Sequence, residues 1–240
     1  ALLYFFIMQK SFPQQLDLLH WPFLVWCSLA AVSQIVATLF LVKAIYRENF
    51  AVGTALAKTE ALLTALIGSW FFSDALGWMG YLSVVLGVGG ALIASKWQLN
   101  LKDLRENRCL GYGFASGLGF ALASVWLREG ILSLQVSPPL GPAAALLYMV
   151  SLQTLICMVW VGVNEPQQYG EIARKRGAGV FIGFTSVAGS VGWFTAISMQ
   201  NAALVKTLGQ TELFVTLAIT WLYFGESVSR KEYLGMVLVV

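Results

Sequence analysis

Residues 49–60 read Asn49-Phe50-Ala51-Val52-Gly53-Thr54-Ala55-Leu56-Ala57-Lys58-Thr59-Glu60, and 152 positions later Asn201-Ala202-Ala203-Leu204-Val205-Lys206-Thr207-Leu208-Gly209-Gln210-Thr211-Glu212 follows the same plan. Shared Leu and Ala are expected of any two apolar helices. An Asn and a Thr-Glu pair held in register inside apolar sequence are not, and they mark an internal repeat. The register runs from 43–88 onto 195–240, and the same shift lays residues 1–8 on the second half of 141–163.

Outside this stretch the chain is written for a bilayer. It is 58% hydrophobic and 11% charged over 240 residues, whereas a soluble domain carries about 45–50% and 25%. Apolar stretches at 21–46, 51–72, 78–95, 110–132, 141–163, 178–199 and 202–224 each reach spanning length, with half-spans at 1–8 and 231–240. The period-2 alternation of a membrane β-barrel is missing, so the spans read as helices with their backbone groups satisfied internally. This excludes a soluble enzyme, a disulfide-stapled secreted module and a disordered tail. The net charge of +3 is too small for nucleic-acid binding through counterion release. Cys27, Cys109 and Cys157 fit no CxxC or metal spacing and read as packing residues.

One repeat period holds five helices, and an odd number inverts the second copy relative to the first, as in secondary transporters. The expected fold is an all-α polytopic membrane protein of two inverted five-helix repeats. Residues 1–95 form the first repeat, 96–109 the inter-repeat loop and 110–240 the second. Filling both copies gives ten helices, with the first and parts of the second and tenth missing from this stretch.

The 49–60 stretch, its 201–212 counterpart and the acidic turns Phe72-Ser73-Asp74 and Phe224-Gly225-Glu226 resemble the drug/metabolite transporter superfamily, in particular its EamA-type ten-helix members. The resemblance implies a multi-pass protein of the cytoplasmic membrane. Such a protein exports a small metabolite or drug-like solute by alternating access, without a cofactor. Protons are a candidate coupling ion and a homodimer a candidate assembly. Two signals disagree on orientation. The loops after 46, 95, 163 and 224 carry most of the Lys and Arg, which makes them cytoplasmic by the positive-inside rule, whereas cytoplasmic termini, implied by the resemblance, put them outside. The charge count, taken from this chain itself, is the reading followed.

At 100° per residue, Thr54, Ala57, Lys58, Glu60, Ala61, Thr64, Ala65 and Gly68 share one face of the 51–72 helix, with Leu62, Leu63, Leu66, Ile67 and Trp70 behind. On that wheel Lys58 and Glu60 mark opposite edges of the face. The 202–224 helix repeats the plan with Lys206, Gly209, Gln210, Glu212, Thr216 and Thr220. A charge at bilayer depth costs about 2.5–3.5 kcal/mol on insertion scales, so four on two equivalent helices need a compensating role. Lys58, Glu60, Lys206, Gln210 and Glu212 are therefore the candidate substrate-binding or coupling residues; mutual ion pairing as buried glue is the competing reading. Thr64, Thr216 and Thr220 read as interhelical or self-backbone hydroxyls, and Asn49 and Asn201 as N-caps. The pairs Gly113/Gly117 and Gly179/Gly183 read as tight packing faces, His20 as a loop residue and Arg128-Glu129 as a local pair at a helix end. With one His and no HExxH or nucleophile-base arrangement, the chain is not read as an enzyme. A non-catalytic assembly or receptor protein and a channel are the alternatives to a transporter.

Overall fold

The computed structural model describes residues 1–47, 58–72, 75–94, 108–224 and 230–239, and every regular element among them is helical. The helices are α1 Leu2–Ser11, α2 Trp21–Arg47, α3 Glu60–Phe71, α4 Trp78–Ala94, α5 Arg108–Ser133, α6 Leu140–Asn164, α7 Gln168–Arg174, α8 Arg176–Met199, α9 Ala202–Gly209, α10 Glu212–Phe224 and α11 Arg230–Val239. Trp21–Tyr46, Leu140–Asn164 and Arg176–Met199 are long and apolar enough to cross a bilayer, and α3 and α4 are shorter apolar helices. Helix boundaries recur at the 152-residue spacing: α3 and α10 start at Glu60 and Glu212, and α4 and α11 at Trp78 and Arg230. The residues 49–57, the Ser73-Asp74 and Gly225-Glu226 turns and the 96–107 loop lie outside the described ranges.

Three elements differ from the sequence reading. The 202–224 span is two helices, α9 and α10, separated at Gln210–Thr211. The 164–177 connection contains α7, whose entry is tightened by bonds from Gln168 N–H to the Glu165 carbonyl and Tyr169 N–H to the Pro166 carbonyl. Arg128 does not end a helix. α5 continues to Ser133, and the Arg128 guanidinium donates to the Ile197 carbonyl at 2.6 Å, a favourable place for a cation in the last turn of α8.

The chain divides into two compact units. The first comprises residues 1–32 and 126–199, the second 33–125 and 200–240, so α2 and α5 each run through both. In the first, small residues let helices approach. Gly141 to Leu146 at the start of α6 are all buried, with Pro142 in the first turn, where it costs no intrahelical bond. Phe23 is fully buried and its ring lies 5.6 Å from that of Tyr148, whose hydroxyl bonds Ser28 at 2.7 Å. A Cβ on Gly130 would stand 2.6 Å from the Cys27 sulfur. Cys27 is buried and Cys157 exposed. His20 lies outside the helices, as expected.

In the second unit, Ala61, Ala65, Val84, Val88 and Ala203 form a buried cluster joining α3, α4 and α9. The buried face of α3 is Ala61, Thr64, Ala65 and Gly68, while Leu66 and Trp70 are exposed, the division the wheel gives. α2 meets α5 here: the Ser33 hydroxyl donates to the Gly119 carbonyl at 2.7 Å, and Phe40 stacks on Tyr112 at 6.0 Å. α11 packs on α4. Gly113 and Gly117 are buried, but Gly179 and Gly183, expected to pack tightly, face open space.

Asn201 caps α9, its side-chain oxygen accepting from Ala203 N–H at 2.9 Å. Asn201→Ala is expected to cost about 1 kcal/mol, measured as a lower midpoint in thermal or denaturant unfolding in detergent.

Candidate functional site

The five candidate residues come together in the second unit, around one turn at the start of a helix and one break between two helices. Lys58 and Thr59 form a turn ahead of α3, and Gln210 and Thr211 form the turn between α9 and α10. At the second, Gln210 N–H bonds the Thr207 carbonyl, Thr211 N–H that of Leu208, Leu213 N–H that of Gln210 and Phe214 N–H that of Thr211, all at 3.0–3.1 Å. These i→i−3 bonds are 3₁₀ geometry, which marks hinges when it interrupts a longer helix. Glu60 and Glu212 each open the helix that follows, where the positive end of the helix dipole favours a carboxylate.

The charges pair crosswise. Lys58 Nζ bonds Glu212 Oε1, and Lys206 Nζ lies 2.5 Å from Glu60 Oε1. Each bridge joins a lysine from one charged stretch to the glutamate of the other. Their environments differ. Lys206 and Glu60 side chains are both 19% exposed, whereas Lys58 is 19% and its partner Glu212 63% exposed. The Ser124 hydroxyl, from α5, reaches Glu60 Oε1 at 3.5 Å. One carboxylate is thus sheltered and the other opens outward, although both occupy the same place in the sequence pattern.

Gln210 sits beneath the exposed pair at 5% exposure. Its Nε2 donates to the Lys58 carbonyl at 3.4 Å, which fixes the amide's orientation, and its buried Oε1 has no protein donor among the described residues. The hydroxyls of Thr64 and Thr207 return to the carbonyls of Glu60 and Ala203, at 2.7 and 2.8 Å. For Thr64 this is the self-backbone role expected. Thr216 and Thr220 side chains and Asn49 lie outside what is described.

The expectation that Lys58 and Glu60 mark opposite edges of a helix fails for a local reason. Lys58 precedes α3 in a turn, so a rotation of 100° per residue does not apply between them, and both reach the α9–α10 segment. Sequence reasoning also missed Ser124 and the break at Gln210–Thr211. Gly209, followed by two polar residues, was the available signal for a helix end. The lysines are not repeat equivalents either: 152 residues from Lys58 stands Gln210, and Lys206 lies one helical turn before it.

Together these residues make a neutral, hydrogen-bonded cluster of two cations and two anions, spread over the turn before α3 and the break between α9 and α10, and held by the packing of α3 on α9. Residues 108–240 match the EamA-like transporter family, over half of the chain. The chain belongs to the EamA-like transporter family. Within the EamA-like match lie Lys206, Gln210 and Glu212, with Lys58 and Glu60 upstream of it. An uncharacterized transporter of Synechocystis sp. is 24% identical over 213 residues, 82% of this chain. The EamA-like chain spans 63% of that relative's length. A solved crystal structure superposes with a TM-score of 0.63 and 14% identity over 98% of this chain and 79% of its own, a likeness of fold. Its family and its apolar helices mark it as an integral membrane protein.

Proposed function

We propose that this EamA-like chain is a secondary transporter that exports a small metabolite or drug-like solute across the cytoplasmic membrane by alternating access. In this reading residues 1–95 and 110–240 are its inverted repeats and 96–109 their connection. Lys58, Glu60, Lys206, Gln210 and Glu212 form its binding or coupling surface. The observation that carries the proposal is the reciprocal pairing of Lys58 with Glu212 and of Lys206 with Glu60, between the turn that leads into α3 and the break between α9 and α10. Broken helices with charged groups at the break are how transporters of this kind build a site at membrane depth. Ion pairs that exchange partners provide two discrete states of similar energy, which alternation needs. A proton on the exposed Glu212 would release Lys58, coupling the exchange to a proton gradient.

The test is uptake of radiolabelled solutes, amino acids and cationic dyes among them, into proteoliposomes with and without an imposed pH gradient. Saturable uptake that follows the gradient is expected for at least one solute. Flux rising linearly with concentration for every permeant solute indicates a channel, and absence of flux across the panel favours a non-transporting assembly protein.

A further inference from the structure

We propose that the connection between α6 and α8 is a headgroup site for anionic phospholipid, formed by Arg174, Lys175 and Arg176. The two helices it joins, Leu140–Asn164 and Arg176–Met199, are both long and apolar enough to cross a bilayer, so the eleven residues between them stand at one membrane surface. With a rise of about 1.5 Å per residue, Arg176 lies roughly 6 Å beyond Val180, where the continuous apolar run of α8 starts. That is headgroup depth.

α7 is held to this level rather than projecting into water. Tyr169 donates its hydroxyl to the Met158 carbonyl, inside the last two turns of α6. A Cβ on Gly162 would stand 3.1 Å from the Tyr169 oxygen, so the glycine lets the ring lie against the span. α7 packs on both α6 and α8. Exposed Trp160 and Tyr169 are the residue types that settle at a membrane interface.

Of the two acidic residues nearby, Glu171 is paired with Arg174 at 2.7 Å, while Glu165 accepts from the neutral Gln168 amide eleven residues before Arg176 and keeps its charge. Lys175 and Arg176 are exposed, and the N-terminus of α8 adds partial charge of the same sign. The loops at the other end of the first unit differ. Residues 12–20 and 134–139 are tied by the Gln14–Ser137 bond at 2.9 Å, and they carry Asp17 and His20 but no Lys or Arg, the nearest lysine being Lys10 in the last turn of α1. Arginine and lysine of this unit's loops are therefore concentrated at one leaflet. The chemistry of the basic cluster suits a phosphate monoanion, and its depth assigns that phosphate to lipid.

Native mass spectrometry of the chain from mixed phosphatidylglycerol/phosphatidylcholine micelles tests this. Wild type should retain phosphatidylglycerol in preference to phosphatidylcholine. One basic residue near an anionic surface changes affinity about fivefold, so Lys175→Gln/Arg176→Gln should lower phosphatidylglycerol retention about 25-fold. Lys175→Arg should leave it unchanged, and added salt should weaken it. Helical content checked by circular dichroism separates this loss from misfolding. Equal retention by the double variant overturns the proposal. So does stabilisation of the lipid-free, detergent-solubilised chain by millimolar inorganic phosphate, which would make this a site for a soluble anion.

Discussion

Glu60→Gln is expected to abolish net transport, and Lys206→Met to destabilise the fold several-fold more than Lys58→Met. The two ion pairs look alike in sequence but sit in different surroundings. Lys206 and Glu60 are half-buried, each 19% exposed, and removing one partner strands the other charge away from most of the water, at a cost nearing the lower end of the about 3–5 kcal/mol that a fully buried pair loses. Glu212 is 63% exposed, so water and counterions take over much of its pairing, and loss of Lys58 should cost under about 1 kcal/mol. A double-mutant cycle in detergent unfolding checks the difference: Glu60→Gln combined with Lys206→Met should recover much of what Lys206→Met loses. Glutamine keeps an oxygen facing Lys206, so Glu60→Gln should still express and fold, as should Glu212→Gln, while neither exchanges a charge. Full uptake with wild-type pH dependence in both variants would reduce the cluster to structural glue.

The second large effect is expected at Gly119. A Cβ there would stand 2.8 Å from Ala37 Cβ, 3.3 Å from Ala37 Cα and 3.5 Å from its nitrogen. Backbone cannot rotate out of the way as a side chain can. One turn before Ala37, Ser33 bonds the Gly119 carbonyl at 2.7 Å, so α2 is pinned to α5 beside the clash. Gly119→Ala should therefore part the helices, weaken that hydrogen bond and cost about 1–3 kcal/mol, with Gly119→Leu beyond this range. Gly179→Ala is the control. Nothing lies within 4 Å of the position, and alanine's better helix propensity, worth up to about 1 kcal/mol, should leave stability unchanged or raised. Denaturation midpoints of the three variants in one detergent give the comparison.

What could be read in the chain followed from how each feature is encoded. The spans are carried by composition over some twenty residues, and α2, α6 and α8 match them within a few residues. The buried face of α3 follows from a period of 3.6, and Ala61, Thr64, Ala65 and Gly68 obey it. The break at Gln210–Thr211 is carried by two residues in a run whose average hydropathy still favours one helix. α7 is too short and polar to register as a span, though Pro166 and the Glu171–Arg174 spacing mark it in hindsight. That five polar positions gather was legible; that Lys206 meets Glu60, and Lys58 meets Glu212, depends on how two helices slide past one another, which neither helix encodes alone. Ser124 enters from a third helix for the same reason.

The offset of Lys206 from the counterpart of Lys58 bears on how the two charged stretches are to be compared. Lys206 lies within α9 and Gln210 in the turn that ends it, so the two positions have different reach: Lys206 meets Glu60, whereas Gln210 donates to the Lys58 carbonyl. Comparing the two stretches column by column therefore finds the glutamates and passes over their partners: each carboxylate has a cation within reach, and the two cations come from different columns of the pattern.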